Sequence, residues 1–322
     1  MDSILAPLGL DVSKAKLDCA LIVKGKLKSR TFNNNPEGFE QLLAWMTKQG
    51  APRVHACCEA TGVYHEAVAL FLHEHGHVVS VVNPAQIAAY GQAQLARAKT
   101  DRLDAWLIAR FCEREHPAAW TPQPPREREL LALLRHLRDL VGMQQAELNR
   151  LGTAHASVHE RIERHLAFLK LEIDEVHKKI KELIDSNDDL RGRRDLLDSV
   201  PGLGNGTIPW LLAYLGDGQR FDNTKSATAF FGLCPKPRES GSSVRGKARI
   251  AKTGQADLRH AIYMPAVVAL TRCKVYAPFV QRLRAAGKPN MVIIVALMRK
   301  LVCIAQAVLK SGKKFDPALH QA

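Results

Sequence analysis

Four carboxylates stand where metal-assisted phosphate chemistry would need them. Asp11 closes the apolar run in LGLDVSK, Glu59 follows VHACC, and Asp101 and Asp104 sit three apart in KTDRLDAWLIARF. Residues three apart share one face of a helix, so the last two can point the same way. Hard oxygen ligands suit Mg²⁺, with Mn²⁺ as a substitute; such an ion keeps several waters and completes its shell with substrate phosphate. Two such ions stabilise both the attacking and the leaving oxygen of a phosphoryl displacement. Singly, the acids have plainer roles. Thr100 and Asp101 are good helix caps, and Asp104 would complement the helix dipole in the first turn. The pattern of four is the stronger signal.

A second group lies far along the chain, in PKPRESGSSVRGKARIAKTGQ. Ser240, Ser242 and Ser243 offer hydroxyls, and these residue types alone do not choose among them. A serine hydroxyl is a weak nucleophile that needs a base or a metal. No histidine lies next to this loop, which makes a metal the natural activator. Arg245, Lys247, Arg249 and Lys252 follow it and suit phosphate contacts, which position nucleic acid without reading sequence. Upstream, LLDSVPGLGNGTIPWLLAYLG has the shape of a helix-hairpin-helix. Gly202 and Gly204 would let backbone N–H groups approach a phosphate at the start of the second helix. The same glycines also fit a plain interhelical turn.

The charge distribution names the partner class. The chain of 322 residues carries +14, and residues 200–322 hold 19 Lys/Arg against 5 Asp/Glu, a surplus equal to the whole excess. A basic lobe concentrated in one segment predicts a polyanion. The seven cysteines form no CxxC pair and read as buried thiols of a reducing cytoplasm. No apolar run looks long enough to span a bilayer, and the start lacks the basic flank of a signal peptide, so no membrane partner is expected.

Three segments must position these residues. Residues 1–125 alternate strands and helices: apolar runs at Ile4–Val12, Lys16–Val23 and Lys26–Phe32 form a meander. A helix opening at Asn35-Pro36 precedes a strand at Val54–Cys58, a helix over roughly Val63–His75 leads to a strand at Val78–Val82, and Asn83-Pro84 opens the next helix. The order βββαβαβα with a central first strand is that of an RNase H-like domain. Residues 126–195 contain no proline and repeat apolar positions at spacings of three and four, through Leu130, Leu134, Leu137, Val141, Leu148 and Leu151, then Leu166, Leu169, Ile173, Val176, Ile180 and Leu183. The pattern weakens at Gly152–His159, so this is one long helix or a helical hairpin, with coiled-coil contact to another helix expected. Residues 196–322 are expected to be mainly α. His73, His75 and His77 resemble a metal tract but straddle a helix end and are expected at the surface. Cys57 and Cys58 are expected to pack.

The segments LGLDVSKAKLD, CCEATGVYHEAVA, VVNPAQ, AKTDRLDAWLIARF, PGLGNGTIPWLLAYLG, FFGLCPKPRESGSSVRG and RIAKTGQADLRHAIYMPA, in this order over nearly the whole chain, resemble the DEDD insertion-sequence transposases. That group is related to the Piv invertases and acts as bridge-RNA-guided DNA recombinases. The resemblance implies a RuvC-like (RNase H-like) metal-binding domain, a coiled-coil connection and a C-terminal transposase domain. It implies that Asp11, Glu59, Asp101 and Asp104 are the metal-binding tetrad and that Ser240, directly before Gly241, is the nucleophile. It further implies donor and target DNA and a structured noncoding RNA as partners, a homodimer assembling to a tetramer, and the tetrad of one subunit acting with the serine of another. The absence of a recognisable major-groove reading helix agrees with RNA-guided recognition. A RuvC-like junction resolvase would use the same acids with water as nucleophile, and a non-enzymatic nucleic-acid-binding protein would use only the basic lobe.

Overall fold

A computed structural model describes residues 5–60, 62–94, 101–240, 244–251 and 253–320, with side chains left undescribed at 101–102, 237–249 and 319–320. The chain divides into two compact units, Met1–Pro122 and Gln123–Ala322.

The first unit is a five-stranded sheet covered on both sides. Strands β1 (Ala6–Val12), β2 (Lys16–Val23) and β3 (Lys26–Asn33) pair antiparallel, while β4 (Val54–Glu59) runs parallel to β1 and β5 (Val78–Val82) parallel to β4. The order β3-β2-β1-β4-β5 makes β1 central, as the sequence pattern predicts for an RNase H-like domain. Alternate residues point to opposite faces. Leu8, Leu10, Leu17, Cys19 and Leu21 therefore bury against helices α1 (Pro36–Lys48) and α2 (Glu66–Glu74) through Leu42, Trp45, Met46, Val68 and Leu72. The opposite face carries α3 (Pro84–Ala93) and α4 (Asp101–Glu115), packed through Ile87, Ala105, Ile108, Ala109 and Cys112. The Asn-Pro signals act as read: Asn35 Oδ1 accepts from Gly38 N at 2.9 Å, and Asn83 Oδ1 from Ala85 N at 2.9 Å.

The second unit is helical apart from one β-hairpin. Helices α5 (Pro125–Leu151) and α6 (Ala156–Asp185) pack as a hairpin, so the chain breaks where the apolar pattern weakens, and the His155 side chain caps α6. Then follow α7 (Asp188–Asp198), α8 (Ile208–Leu215), α9 (Thr224–Phe230), strands β6 (Pro235–Ser240) and β7 (Val244–Ile250), α10 (Ala256–Arg272), α11 (Ala277–Ala285) and α12 (Asn290–Ser311). Leu130, Leu134, Leu169, Ile173, Val176 and Ile180 share one apolar cluster with residues of α7–α12. The outer half of the hairpin is different: Val141, Met143 and Leu148 on α5 and Phe168 and Leu171 on α6 stay exposed.

One expectation is corrected. Helix α12 is long and apolar enough to cross a membrane. Here it is a core helix, with Ile293, Leu297, Leu301, Val302 and Ala305 fully buried in the unit's cluster.

Candidate nucleic-acid active site

Asp11 and Glu59 reach the same level of the sheet on neighbouring strands. Gly9 is opposite Cys57 and Leu10 opposite Cys58, so the next residues, Asp11 and Glu59, follow in step at the carboxyl ends of β1 and β4. By the strand period, Gly9, Asp11, Cys57 and Glu59 share one face. That face is the one α4 covers. A Cβ on Gly9 would lie 2.1 Å from the Ala105 carbonyl oxygen and 2.4 Å from the Ala109 nitrogen. Glycine at position 9 therefore lets the helix backbone lie against the strand, and alanines at 105 and 109 complete the seam. Asp101 is the first residue of α4, one turn before Ala105, and Asp104 is half-buried. The structure thus brings Asp11, Glu59 and the first turn of α4 to one side and one end of the sheet. Among the described residues no three His, Cys, Asp or Glu side chains converge into a metal-binding group. The side chain at Asp101 lies outside that set.

Sequence reasoning missed three positioning residues here. Gly9 is one. Asp18 lies directly opposite Asp11 in the β1–β2 register, on the same face. Like charges so placed repel, and Asp18 is held by Thr31 Oγ1, which donates at 2.6 Å, and by Lys16 Nζ at 3.5 Å. The β1–β2 register, countable from the turn between Val12 and Lys16 that sets Val12 opposite Leu17, is the signal that could have found it. Asn34 is the third: its Nδ2 donates to Ser13 O at 2.9 Å and Tyr64 O at 3.2 Å. It ties the loop after Asp11 to the loop after Glu59.

The serine segment is a β-hairpin, where a loop in a mainly α region was expected. Ser240 is the last residue of β6 and its Cα partner is Val244; Gly241–Ser243 between them, and Lys252, lie outside the described residues. Arg245, Lys247 and Arg249 occupy β7, with a register shift between Lys236 and Arg238. The base of the hairpin is fixed. Ala251 N donates to Cys234 O at 2.9 Å, and Arg259 Nη1 donates to Phe231 O at 3.0 Å and Gly254 O at 2.9 Å.

The glycine turn between α7 and α8 is anchored on α10. Gly202 has φ +94°, and a Cβ there would meet Pro265 O at 3.5 Å and Cys273 Sγ at 3.6 Å. Tyr276 Oη donates to Pro201 O at 3.0 Å, and Thr207 Oγ1 to Ala261 O at 2.9 Å. The positive φ by itself explains glycine at 202. At Gly204 a Cβ would meet nothing within 4 Å, and Asn205 and Gly206 beside it are exposed. This is the open side of the turn, at the N-terminus of α8.

The histidine tract is split by the fold. His73 and His75 are exposed, as expected, but His77 is buried, with Nδ1 accepting Val54 N–H at 3.3 Å. Burial, then the neighbouring His75 and Arg53 charges, push its pKa down. Cys57 and Cys58 are fully buried, and burial, helped by the Glu59 charge, pushes the Cys58 thiol up to about 12. All seven cysteines are free thiols, although Cys234, Cys273 and Cys303 are only half-buried.

Comparison with known proteins decides the family. An IS110-type DEDD transposase model matches residues 8–157, and a model of the IS116/IS110/IS902 transposase family matches residues 194–281. The pilin gene-inverting proteins of Moraxella bovis and Moraxella lacunata are each 35% identical over 321 residues, covering 98% of both chains. The chain belongs to the IS110 transposase family. The transposase for insertion sequence element IS1328 of Yersinia enterocolitica is a more distant relative, 24% identical over 75% of this chain and 79% of its own. The transposase is accordingly a DNA-binding enzyme of recombination. The four acids fall inside the first matched region and the glycine turn and serine hairpin inside the second.

Proposed function

We propose that this transposase exchanges DNA strands through a phosphoserine intermediate at a site combining the four acids with Ser240. The observation that supports the reading is the placement of Asp11, Glu59 and the first turn of α4 on one face and at one end of the sheet. Asp11, Glu59, Asp101 and Asp104 would hold Mg²⁺, or Mn²⁺ in its place, and their all-oxygen donor set fits such an ion. An ion held by these acids would supply Lewis-acid polarisation of the scissile phosphate and offset charge that develops on its oxygens.

Ser240 Oγ attacks phosphorus: the Oγ–P bond forms, the bond to the deoxyribose 3′-oxygen breaks, and that oxygen leaves with a proton. A 3′-hydroxyl from another strand then attacks the same phosphorus and releases Ser240. Each step replaces one phosphodiester by another, so no outside energy source is needed. Arg245, Lys247, Arg249 and Lys252 position the backbone by phosphate contacts, and the Gly202–Gly204 turn of the helix-hairpin-helix grips a flanking phosphate through backbone N–H groups. The exposed Val141, Met143, Leu148, Phe168 and Leu171 suit a coiled-coil contact with a second copy. A homodimer assembling to a tetramer would bring the acids of one subunit to the serine of another. A structured noncoding RNA reads donor and target sequence by base pairing.

A plasmid recombination assay with the flanking noncoding DNA supplied tests the reading. Asp11→Ala and Ser240→Ala should both abolish exchange, and only Ser240 protein should trap a protein–DNA adduct. Adduct formation by Ser240→Ala would remove the serine from the role. Cleavage without an adduct in the wild type would point to water as nucleophile, as in a junction resolvase. Site-specific exchange by RNA-free protein would remove the guide.

A further inference from the structure

The last helices carry a run of cations without acids. Between Asp257 and Asp316 there are 11 Lys/Arg and no Asp or Glu. Two of them meet at one ring. The Arg282 guanidinium of α11 lies 5.4 Å from the Phe279 ring centroid, and Lys300 Nζ of α12 lies 4.7 Å from it. A ring face attracts a cation but does not neutralise two. Arg282 is exposed and Lys300 half-buried; burial, then the Arg282 charge, lowers the Lys300 pKa. Among the described residues no acid pairs with either, or with Arg299 beside them. Arg299, Lys300 and Cys303 share the open stripe of α12, whereas Leu297, Met298, Leu301 and Val302 are buried. The Cys303 thiol is hydrogen-bonded to Thr224 at the start of α9, and it lies close enough to Arg299 and Cys234 for both charges to act on it. Cys234 directly precedes β6, the strand that ends in Ser240. The cations therefore begin at the base of the serine hairpin. Lys310, about 15 Å further along α12, is engaged elsewhere: its Nζ donates to the Asp222 backbone oxygen at 3.3 Å.

We infer that Arg282, Arg299 and Lys300 hold a backbone phosphate of the DNA duplex beside the exchange point. The inference rests on the strand-exchange reading above. A merely solvated basic face would keep its cations apart. Here two converge on an apolar ring with no acid to offset them, and a phosphate supplies the missing counter-charge. The guanidinium presents a planar fork to phosphate oxygens, and the ammonium adds a point charge. Position selects duplex DNA as the occupant. The extended chain from Cys234 to Ser240 spans about 20 Å, less than one helical turn of about 34 Å. A duplex that meets Ser240 and runs back along the hairpin reaches these cations.

Affinity of the full chain for a DNA duplex of arbitrary sequence is measured between roughly 50 and 200 mM salt, with chelator present to prevent cleavage. Arg282→Ala and Lys300→Ala should each flatten the fall of log K with log salt by roughly 0.9, a loss of affinity roughly 3.5-fold smaller over that range. Arg282→Lys, which keeps the charge, should keep the slope. Arg282→Ala alters an exposed side chain, so it reports even if Lys300→Ala fails to fold. An unchanged slope in Arg282→Ala would overturn the inference. So would an effect confined to an RNA hairpin or to phosphatidylserine vesicles, which would assign the face to RNA or to a lipid headgroup. These slopes need no exchange, so failure here leaves the Asp11→Ala and Ser240→Ala tests standing. Exchange that survived those two variants would remove the strand-exchange reading and leave the phosphate contact as measured.

Discussion

The Ala105 carbonyl oxygen lies 2.1 Å from the point where a Cβ on Gly9 would sit. The neighbour is helix backbone, not the yielding end of a side chain, so any larger residue must push α4 away from β1. Overpacking of this kind destabilises by about 1–3 kcal/mol or more. Displacing α4 also moves the turn that carries Asp101 and Asp104. Gly9→Ala should therefore lower the urea midpoint and, under conditions where it remains folded, reduce strand exchange far more than the stability loss alone would. A variant with wild-type stability and exchange would show that the helix–strand contact does not set the site.

His77 gives a pH signature to the first unit. Its pKa is lowered in the folded protein by burial, then by His75 and Arg53, and its Nδ1 accepts the Val54 N–H. Protonating Nδ1 would replace that acceptor with a donor. The unfolded chain therefore binds a proton more readily than the folded one. The sign is fixed: this contribution is complete above the unfolded value of about 6.5 and fades as pH falls from there towards the lowered folded value. Thermal melts of wild type should drop between pH 7 and pH 5 more steeply than those of His77→Gln. Parallel curves would exclude His77 as a source of the slope.

The buried pair Glu127–Arg193 secures the second unit. Arg193 Nη1 donates to Glu127 Oε1 at 2.7 Å, with both side chains at most 10% exposed, and Asp189 takes the other guanidinium nitrogen. Burial raises the Glu127 pKa, opposed by Arg193. Removing Glu127 leaves the buried Arg193 with only the exposed Asp189 as counter-charge, and breaking a buried pair in this way costs up to about 3–5 kcal/mol. Glu127→Ala should show a loss of that size in chemical denaturation, and Glu127→Met with Arg193→Met should recover much of it. A single-variant loss below about 1 kcal/mol would mean that water replaces the pair.

The first unit was legible because its signals are local. Asn35 and Asn83 cap helices at Asn-Pro steps, and strands β1, β2, β4 and β5 are short apolar runs between turn residues. Asp11 and Glu59 needed only strand ends to be placed. Gly9 could not be read the same way, since its partner Ala105 lies on a helix far along the chain. His77 escaped for the same reason, as its burial depends on Val54 of another strand. The β6–β7 hairpin was hidden by composition: PKPRES carries two prolines and three charges and offers no apolar alternation. In α5 and α6 the spacing of three and four does form helices, but the apolar register continues past the core, so Leu130 is buried while Leu148 in the same register is exposed.

The cations of β7 offer a test of phosphate positioning that is independent of catalysis. Arg245, Lys247 and Arg249 occur in seven residues, on a hairpin whose base is held by Arg259 and Gly254. Each phosphate neutralised on duplex DNA releases counterions and steepens the fall of log K with log salt by roughly 0.9. Replacing one such cation with alanine should make the slope shallower by about that amount, with little dependence on DNA sequence. The binding series should be run without divalent metal, so that cleavage does not enter. A slope unchanged in all three single variants would mean that these side chains do not touch phosphate. A loss that depended on sequence would instead assign them to base contacts.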